Sequence, residues 1–216
     1  MIQKSKVAVI GLGNIGTAVV TNLVKGNRSV IVADKTFEKA TNLAQKLGNL
    51  AQPATIADAI KQADIIVLAI YFDPIKSFFK TYATELEGKI IVDPSNPIAP
   101  DENGGFKKII GEDESAGELL SSLLPNNTKL AKALGTLGAA SLVSASFQTP
   151  EKAVQFYATD DTSINAEIED LIRDNGFEPL RIGNLNQSIR IEVFGDLHEF
   201  GALGKPVNAT EAKSKI

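Results

Sequence analysis

The residues best suited to chemistry in this chain are the three glycines of VAVIGLGNIG, Gly11, Gly13 and Gly16, and the acid Asp34 that follows 18 residues beyond Gly16. Glycines at this spacing suit a turn that grips a phosphate. Gly11 permits the tight turn, Gly13 lets the backbone approach a pyrophosphate that any Cβ would obstruct, and Gly16 lets a helix lie close to a strand. Leu12, Asn14 and Ile15 fill the turn between them. The free N–H groups at the helix start, with the positive end of its dipole, supply an anion site. The same letters also fit a structural turn that holds nothing, so the flanks decide.

The flanks have the required order. Lys6 to Ile10 is a β-branched run suited to a buried parallel strand. Ile15, Val19 and Leu23, with Val20 and Val24 beside them, form one face of a helix that Gly26-Asn27 ends. Ser29 to Val32 begins a second strand, and Asp34 falls where a dinucleotide-binding unit places its ribose contact. Helices are expected over Phe37 to Leu47, Thr55 to Gln62, from Asp73-Pro74 with Asp73 as cap and Pro74 in first position, from the Ser115/Glu118 capping box to Pro125, from about Ala139, and from Ile164 to Asn175-Gly176. Strands are expected at Asp64 to Ile70, Lys89 to Val92, Leu130 to Leu134, Ala153 to Ala158 and Leu180 to Ile182. From Asn186, Ile189, Val193 and Leu197 suggest a final helix before a polar tail. This alternation predicts an α/β fold, a Rossmann-type, doubly wound, mostly parallel sheet with a short C-terminal helical extension. The division expected is a dinucleotide-binding domain over 1–184 and a C-terminal helix and tail over 185–216.

Ligands of open α/β sheets lie outside the carboxyl ends of the strands, which selects three further segments. Asp34-Lys35-Thr36 would face the adenosine ribose, where Asp34 favours NAD, while Lys35 and Lys39, taken as one helical turn apart, would neutralise the 2′-phosphate of NADP. The bland alternative for both lysines is a solvated helix face. Ala69, Ile70 and Tyr71 would pack against the nicotinamide and its ribose, with Tyr71 either a proton donor or a buried aromatic. Asp93-Pro94-Ser95-Asn96-Pro97 is a proline-stiffened turn in which Asn96 either offers donor and acceptor to a carboxamide or closes an Asx turn. The only histidine, His198, is read as a helix-surface or subunit-contact residue rather than a catalytic one. No triad or dyad is recognisable, so no catalytic residue is assigned.

Composition excludes several classes. With 216 residues, 44% hydrophobic and 22% charged, the chain can bury a core as one domain. It has no cysteine and one histidine, which excludes disulfides, thiolate sites and multi-histidine metal centres, and no metal is expected. The net charge of −4, without a Lys/Arg cluster, argues against nucleic acid or an anionic membrane as partner. The longest apolar run, Ile65 to Phe72, falls far short of the ~20 residues that span a bilayer, and no leader pattern opens the chain, so a cytoplasmic location is expected.

The stretches VAVIGLGNIG, ADKTFEKA, ADIIVLAI, GKIIVDPSNP and SAGELLSSLLPNNTKLAKALGT resemble the small deazaflavin-dependent (coenzyme F-420 type) NADP oxidoreductases and the related NADPH domain of six-transmembrane ferric reductases, over roughly residues 6 to 146. The resemblance implies NADP(H), with a flavin or deazaflavin as co-substrate. The chain departs from it at Asp34-Lys35, where the family has Ser-Arg, at Tyr71, where it often has Pro, and at Gly135, where it often has the Asn of Asn-Thr. The expected function is an NAD(P)H-dependent oxidoreductase passing hydride to a flavin-like or other small acceptor, framed by Ile70, Tyr71, Asn96 and Thr136 and with a homodimer completing the crevice. A non-catalytic redox sensor is the alternative, because fold alone does not separate the two.

Overall fold

A computed structural model describes residues 4–216. In chain order its elements are β1 (Val7–Ile10), α1 (Asn14–Lys25), β2 (Val30–Ala33), α2 (Phe37–Leu47), β3 (Ala51–Pro53), α3 (Ile56–Gln62), β4 (Ile65–Leu68), α4 (Phe72–Thr81) and β5 (Ile90–Asp93). There follow a small hairpin of β6 (Ile98–Pro100) and β7 (Phe106–Lys108), then α5 (Ala116–Ser121), β8 (Lys129–Ala133) and α6 (Ala139–Ser144). The chain closes with β9 (Val154–Ala158), α7 (Asn165–Asp174), β10 (Glu178–Gly183), a 3₁₀ turn over Leu185–Ile191 and α8 (Ala209–Lys213).

Eight strands form one sheet in the order β10-β9-β8-β5-β4-β1-β2-β3. From β3 to β8 every pairing is parallel; β9 runs antiparallel to β8, and β10 runs parallel to β9. Alternation along β1 explains the two layers. Val7 and Val9 join Val19 and Leu23 of α1, Ala40 of α2 and Ile168 of α7 on one face. Ala8 and Ile10 join Ile60 of α3, Phe72 and Phe79 of α4 and Leu120 of α5 on the other. A strand buried on both faces must be apolar throughout, which is why VAVI and IIVL lack the polar alternation of a one-sided sheet. The doubly wound, mostly parallel fold is as expected.

Four local expectations need correction. The structure adds β3 and the β6–β7 hairpin, because three-residue strands leave no periodic signal in the sequence. Helix α4 begins at Phe72 with Tyr71 as N-cap, so Asp73 and Pro74 lie inside its first turn rather than at its cap and first position. Helix α5 ends at Ser121, short of Pro125, and the Leu123 and Leu124 N–H groups instead bond to Leu120 and Ser121. The helix expected from Asn186 is a 3₁₀ turn that stops at Ile191, where Glu192 becomes extended. The tail beyond it is folded, placing Leu197, Val207 and Ala212 against Val154, Phe156 and Ala158 of β9.

Candidate functional site

The sheet order reverses between β1 and β4, so the turns that follow these two strands open a crevice at their carboxyl ends. Gly11 sits there at φ +96°, its N–H bonded to the Ala33 carbonyl at 2.9 Å, and a Cβ on it would run into the Ala69 carbonyl. A Cβ on Gly16 would run into the Gly11 carbonyl, so that glycine holds α1 close to the strand. Gly13 is different. Its φ of −77° is open to any residue, and a Cβ there would meet nothing within 4 Å. Neither backbone conformation nor packing among the described residues calls for glycine at 13, and the position opens outward. No side chain caps this end of α1, so the first-turn N–H groups from Asn14 and Ile15 and the helix dipole face the same opening.

Asp34, at the end of β2, is largely buried. Its Oδ2 accepts from the Leu12 N–H at 2.8 Å and its Oδ1 from the Thr36 N–H at 3.0 Å, so the carboxylate ties the glycine turn to the start of α2. Lys35, Thr36 and Lys39 are exposed, and neither lysine pairs with a carboxylate among the described residues. Thr36 is the N-cap of α2, so Lys35 precedes the helix and Lys39 lies in its first turn, not two positions of one helix. A cleft of about 540 Å³ runs from Leu12, Gly13 and Asn14 along Thr17 to Lys39 and Val143 of α6.

On the other side of the turn, Ala69 and Ile70 are half-buried and Tyr71 is 85% exposed, so the reading of Tyr71 as a buried aromatic is corrected. Its ring stands at the lip of the crevice because its backbone caps α4 while Phe72 takes the core position. Asn96 makes neither a simple Asx turn nor a free amide. Its Oδ1 accepts from the Val193 N–H at 2.7 Å and its Nδ2 donates to the Gly135 carbonyl at 3.3 Å. Pro97 behind it is buried. Thr136 does not face the crevice either: it is buried, and its hydroxyl donates to Gln155 Oε1 at 2.7 Å.

His198 is likewise corrected from a helix-surface residue to a buried pin. The Phe200 N–H donates to Nδ1 at 2.9 Å, which fixes the neutral tautomer and makes Nε2–H the donor to the Gly135 carbonyl at 2.9 Å. Burial pushes the imidazole down to about 4, against the Gly135 hydrogen bond and the Glu199 charge, which favour the proton.

The residues missed by sequence reasoning lie beneath this wall. Lys132 of β8 is 3% exposed and donates to Asp93 Oδ2 at 2.7 Å and to the Ser95 carbonyl. Glu192 lies 3.9 Å from the same ammonium and accepts the first N–H groups of α5, from Ala116 at 2.9 Å and Gly117 at 3.0 Å. Asp93 Oδ1 in turn accepts from the Ser95 N–H at 2.8 Å. The charge cluster fixes the turn after β5 from below while Asn96 fixes it from the side. The available signal was a lysine in the otherwise apolar Leu130 to Leu134, two residues from the strand end. Among the described residues no group of three or more side chains is arranged to hold a metal, and no helix is long and apolar enough to cross a membrane.

Comparison with known proteins adds family to geometry. Residues 6–97 match the model of the family described as NADP oxidoreductase coenzyme F420-dependent. The chain is 26% identical over 191 residues to the metalloreductase STEAP3 of Rattus norvegicus, covering 88% of this chain and 36% of that one. It is also 26% identical over 148 residues to the F420-dependent NADP reductase of Methanothermobacter marburgensis, covering 64% of this chain and 66% of the relative. The chain thus spans about a third of the first relative and just under two thirds of the second. A hypothetical protein of Sinorhizobium meliloti has the same fold, with a TM-score of 0.81 at 24% identity, over 94% of this chain and 95% of that one. The resemblance read in the glycine turn and the strands after it is therefore borne out: residues 6–97 match the model of the coenzyme F420-dependent NADP oxidoreductase family.

Proposed function

We propose that the protein is an NAD(P)H-dependent oxidoreductase that transfers hydride between NADP(H) and a planar small acceptor of the flavin or deazaflavin kind. The observation that carries this reading is Gly13, a glycine required by nothing inside the chain, at the open start of α1. The residues fit the cofactor. The turn from Gly11 to Gly16 would hold the pyrophosphate, and Lys35 with Lys39 the 2′-phosphate, neither lysine pairing with a carboxylate among the described residues. Asp34, whose two oxygens already serve backbone N–H groups, would shape the ribose side. Ala69, Ile70 and Tyr71 would flank the nicotinamide, which supplies a transferable hydride when bound.

The chain's own contribution on the acceptor side is orientation and exclusion of water. The Asn96 oxygen, both His198 nitrogens and the Thr136 hydroxyl are engaged in internal hydrogen bonds, so none is a free acid or base there. That favours ring-to-ring transfer, which depends on stacking geometry more than on a protein proton donor. The test is NADPH oxidation against a panel of flavins, a deazaflavin, ferric chelates, quinones and carbonyl compounds, with 4-deuterated NADPH to follow the label. Stereospecific delivery to a flavin-type acceptor supports the proposal. Tight NADPH binding with no oxidation across the panel would replace it with the sensor reading.

A further inference from the structure

Two phenylalanines near the end of the chain stand in the open, Phe194 at 52% exposure and Phe200 at 62%. They belong to a compact knot, not a loose loop. The Gly195 N–H bonds to the Glu192 carbonyl at 2.8 Å, Leu197 to Arg190 at 2.8 Å and Gly201 to His198 at 2.9 Å. A Cβ on Gly201 would lie 2.9 Å from the Phe194 carbonyl carbon, so the chain just after Phe200 lies against the Phe194–Gly195 peptide. Phe194 adopts φ +75°, a left-handed conformation that glycine or asparagine takes far more readily. A bulky apolar residue held in that conformation and turned outward satisfies neither local preference nor core packing, and such outliers gather at ligand clamps.

The knot is pinned to the acceptor side of the crevice. Val193 is held by Asn96 in the turn after β5, His198 by the Gly135 carbonyl after β8, and the Glu199 N–H by the Thr136 carbonyl at 3.0 Å. The Phe200 ring covers Gly138, where a Cβ would lie 2.8 Å from its Cζ, and its centroid stands 5.6 Å from that of His198. The strand next to β5 is β4, and after it comes the exposed ring of Tyr71.

We infer that Phe194 and Phe200 select the acceptor, forming an aromatic platform for a flat heteroaromatic ring beside the nicotinamide subsite. The inference rests on the oxidoreductase reading above and deepens it. In the step served, the C4–H bond of the reduced nicotinamide breaks and its hydride forms a new bond to a ring atom of the acceptor. NADPH is oxidised to NADP⁺, while the acceptor gains two electrons and takes its proton from water. Phenylalanine offers faces and edges but no proton, which suits a ring that stacks and does not suit a carbonyl or imine that must be protonated as it is reduced.

The test is riboflavin binding, followed by its fluorescence in the presence of NADP⁺, where no turnover occurs. Wild type should bind; Phe194→Ala and Phe200→Ala should each weaken riboflavin several-fold, and together by about tenfold or more, as loss of central aromatic contacts does. Phe194→Tyr and Phe200→Tyr keep the faces and should stay within about twofold, and NADP⁺ affinity should be unchanged in all four. Phe200, whose backbone is outside the left-handed region, carries the test alone if Phe194→Ala folds poorly. The platform is refuted if riboflavin fails to bind the NADP⁺-loaded wild type, or binds the alanine variants equally well. It is also refuted if those variants turn a dimer into a monomer in sedimentation, because the rings would then face a second copy. Failure of NADP⁺ itself to bind would instead overturn the oxidoreductase reading.

Discussion

Replacing Gly13 by aspartate should move stability and affinity in opposite directions. The residue is the N-cap of α1 at φ −77° and ψ −162°, the extended conformation that aspartate adopts when it caps a helix, and no side chain caps that end in the native chain. A Cβ there meets nothing within 4 Å, so the new side chain brings no clash. Capping and the favourable charge at the positive end of the helix dipole together contribute about 0.5–1 kcal/mol to the unliganded protein. For a domain of this size that raises Tm by roughly 1–4 °C. Were a pyrophosphate charge held within about 5 Å of that carboxylate, two unit charges at an effective dielectric of about 20 would repel by about 3 kcal/mol. NADPH affinity should therefore fall by a hundredfold or so, before any steric term is added. Calorimetric titration and thermal melting of the two proteins check both halves. Equal NADPH affinity in two well-folded proteins would refute the placement of the pyrophosphate, and a melting point several degrees lower would refute the claim that Gly13 has no internal role.

Changing Lys35 and Lys39 together to alanine should weaken NADPH by about 1.5–3 kcal/mol, the scale of a charged hydrogen bond, while leaving NADH almost untouched; equal weakening of both nucleotides would show that Asp34 governs the ribose. Lys132→Met should cost about 3–5 kcal/mol in denaturant melts, because it strands the buried Asp93 carboxylate; a loss below 1 kcal/mol would mean that the cluster is solvated. His198 takes up a proton near pH 4 in the folded state and near its ordinary value of 6.5 when unfolded, so the unfolded chain binds more protons between these values. Stability should thus fall by up to about 3 kcal/mol as pH drops through that window, and His198→Asn should remove that share of the fall, measured by urea melts at pH 7 and pH 4.

What could be read in the sequence depended on how far away each residue's partner lies. Gly11 to Asp34 was legible because a β-α-β unit is local: the turn, the helix face and the acid succeed one another within one run of chain, and Asp34 closes back on Leu12. The 3₁₀ turn at Leu185–Ile191 was not, because Ile189, Val193 and Leu197 carry a helical spacing that distant bonds override. Glu192 is drawn to α5, 75 and 76 positions earlier, and Val193 to Asn96, 97 positions earlier. Neither bond leaves a mark in local pattern. Asn96 lies in the turn after β5, but its amide is engaged with Gly135 and Val193 in ways that no neighbour in sequence announces. Lys132 is illegible for the same reason, since a single lysine in a short strand reads alike whether its ammonium meets water or the carboxylate across the β5–β8 pairing.

The reversal of β9 against β8 divides the labour of the crevice between two stretches of chain. The stretch from Gly11 to Tyr71 supplies every residue proposed for the nucleotide, while the knot at 192–201 arrives from the far end of the sequence and is fastened by Asn96, Gly135 and Thr136. Mutations in the knot can therefore accumulate without disturbing the proposed grip on the dinucleotide, and the converse holds as well. On the proposed reading, what the protein reduces can change while its source of electrons is kept, so that descendants would diverge fastest in the final twenty-five or so residues and least around the glycine turn.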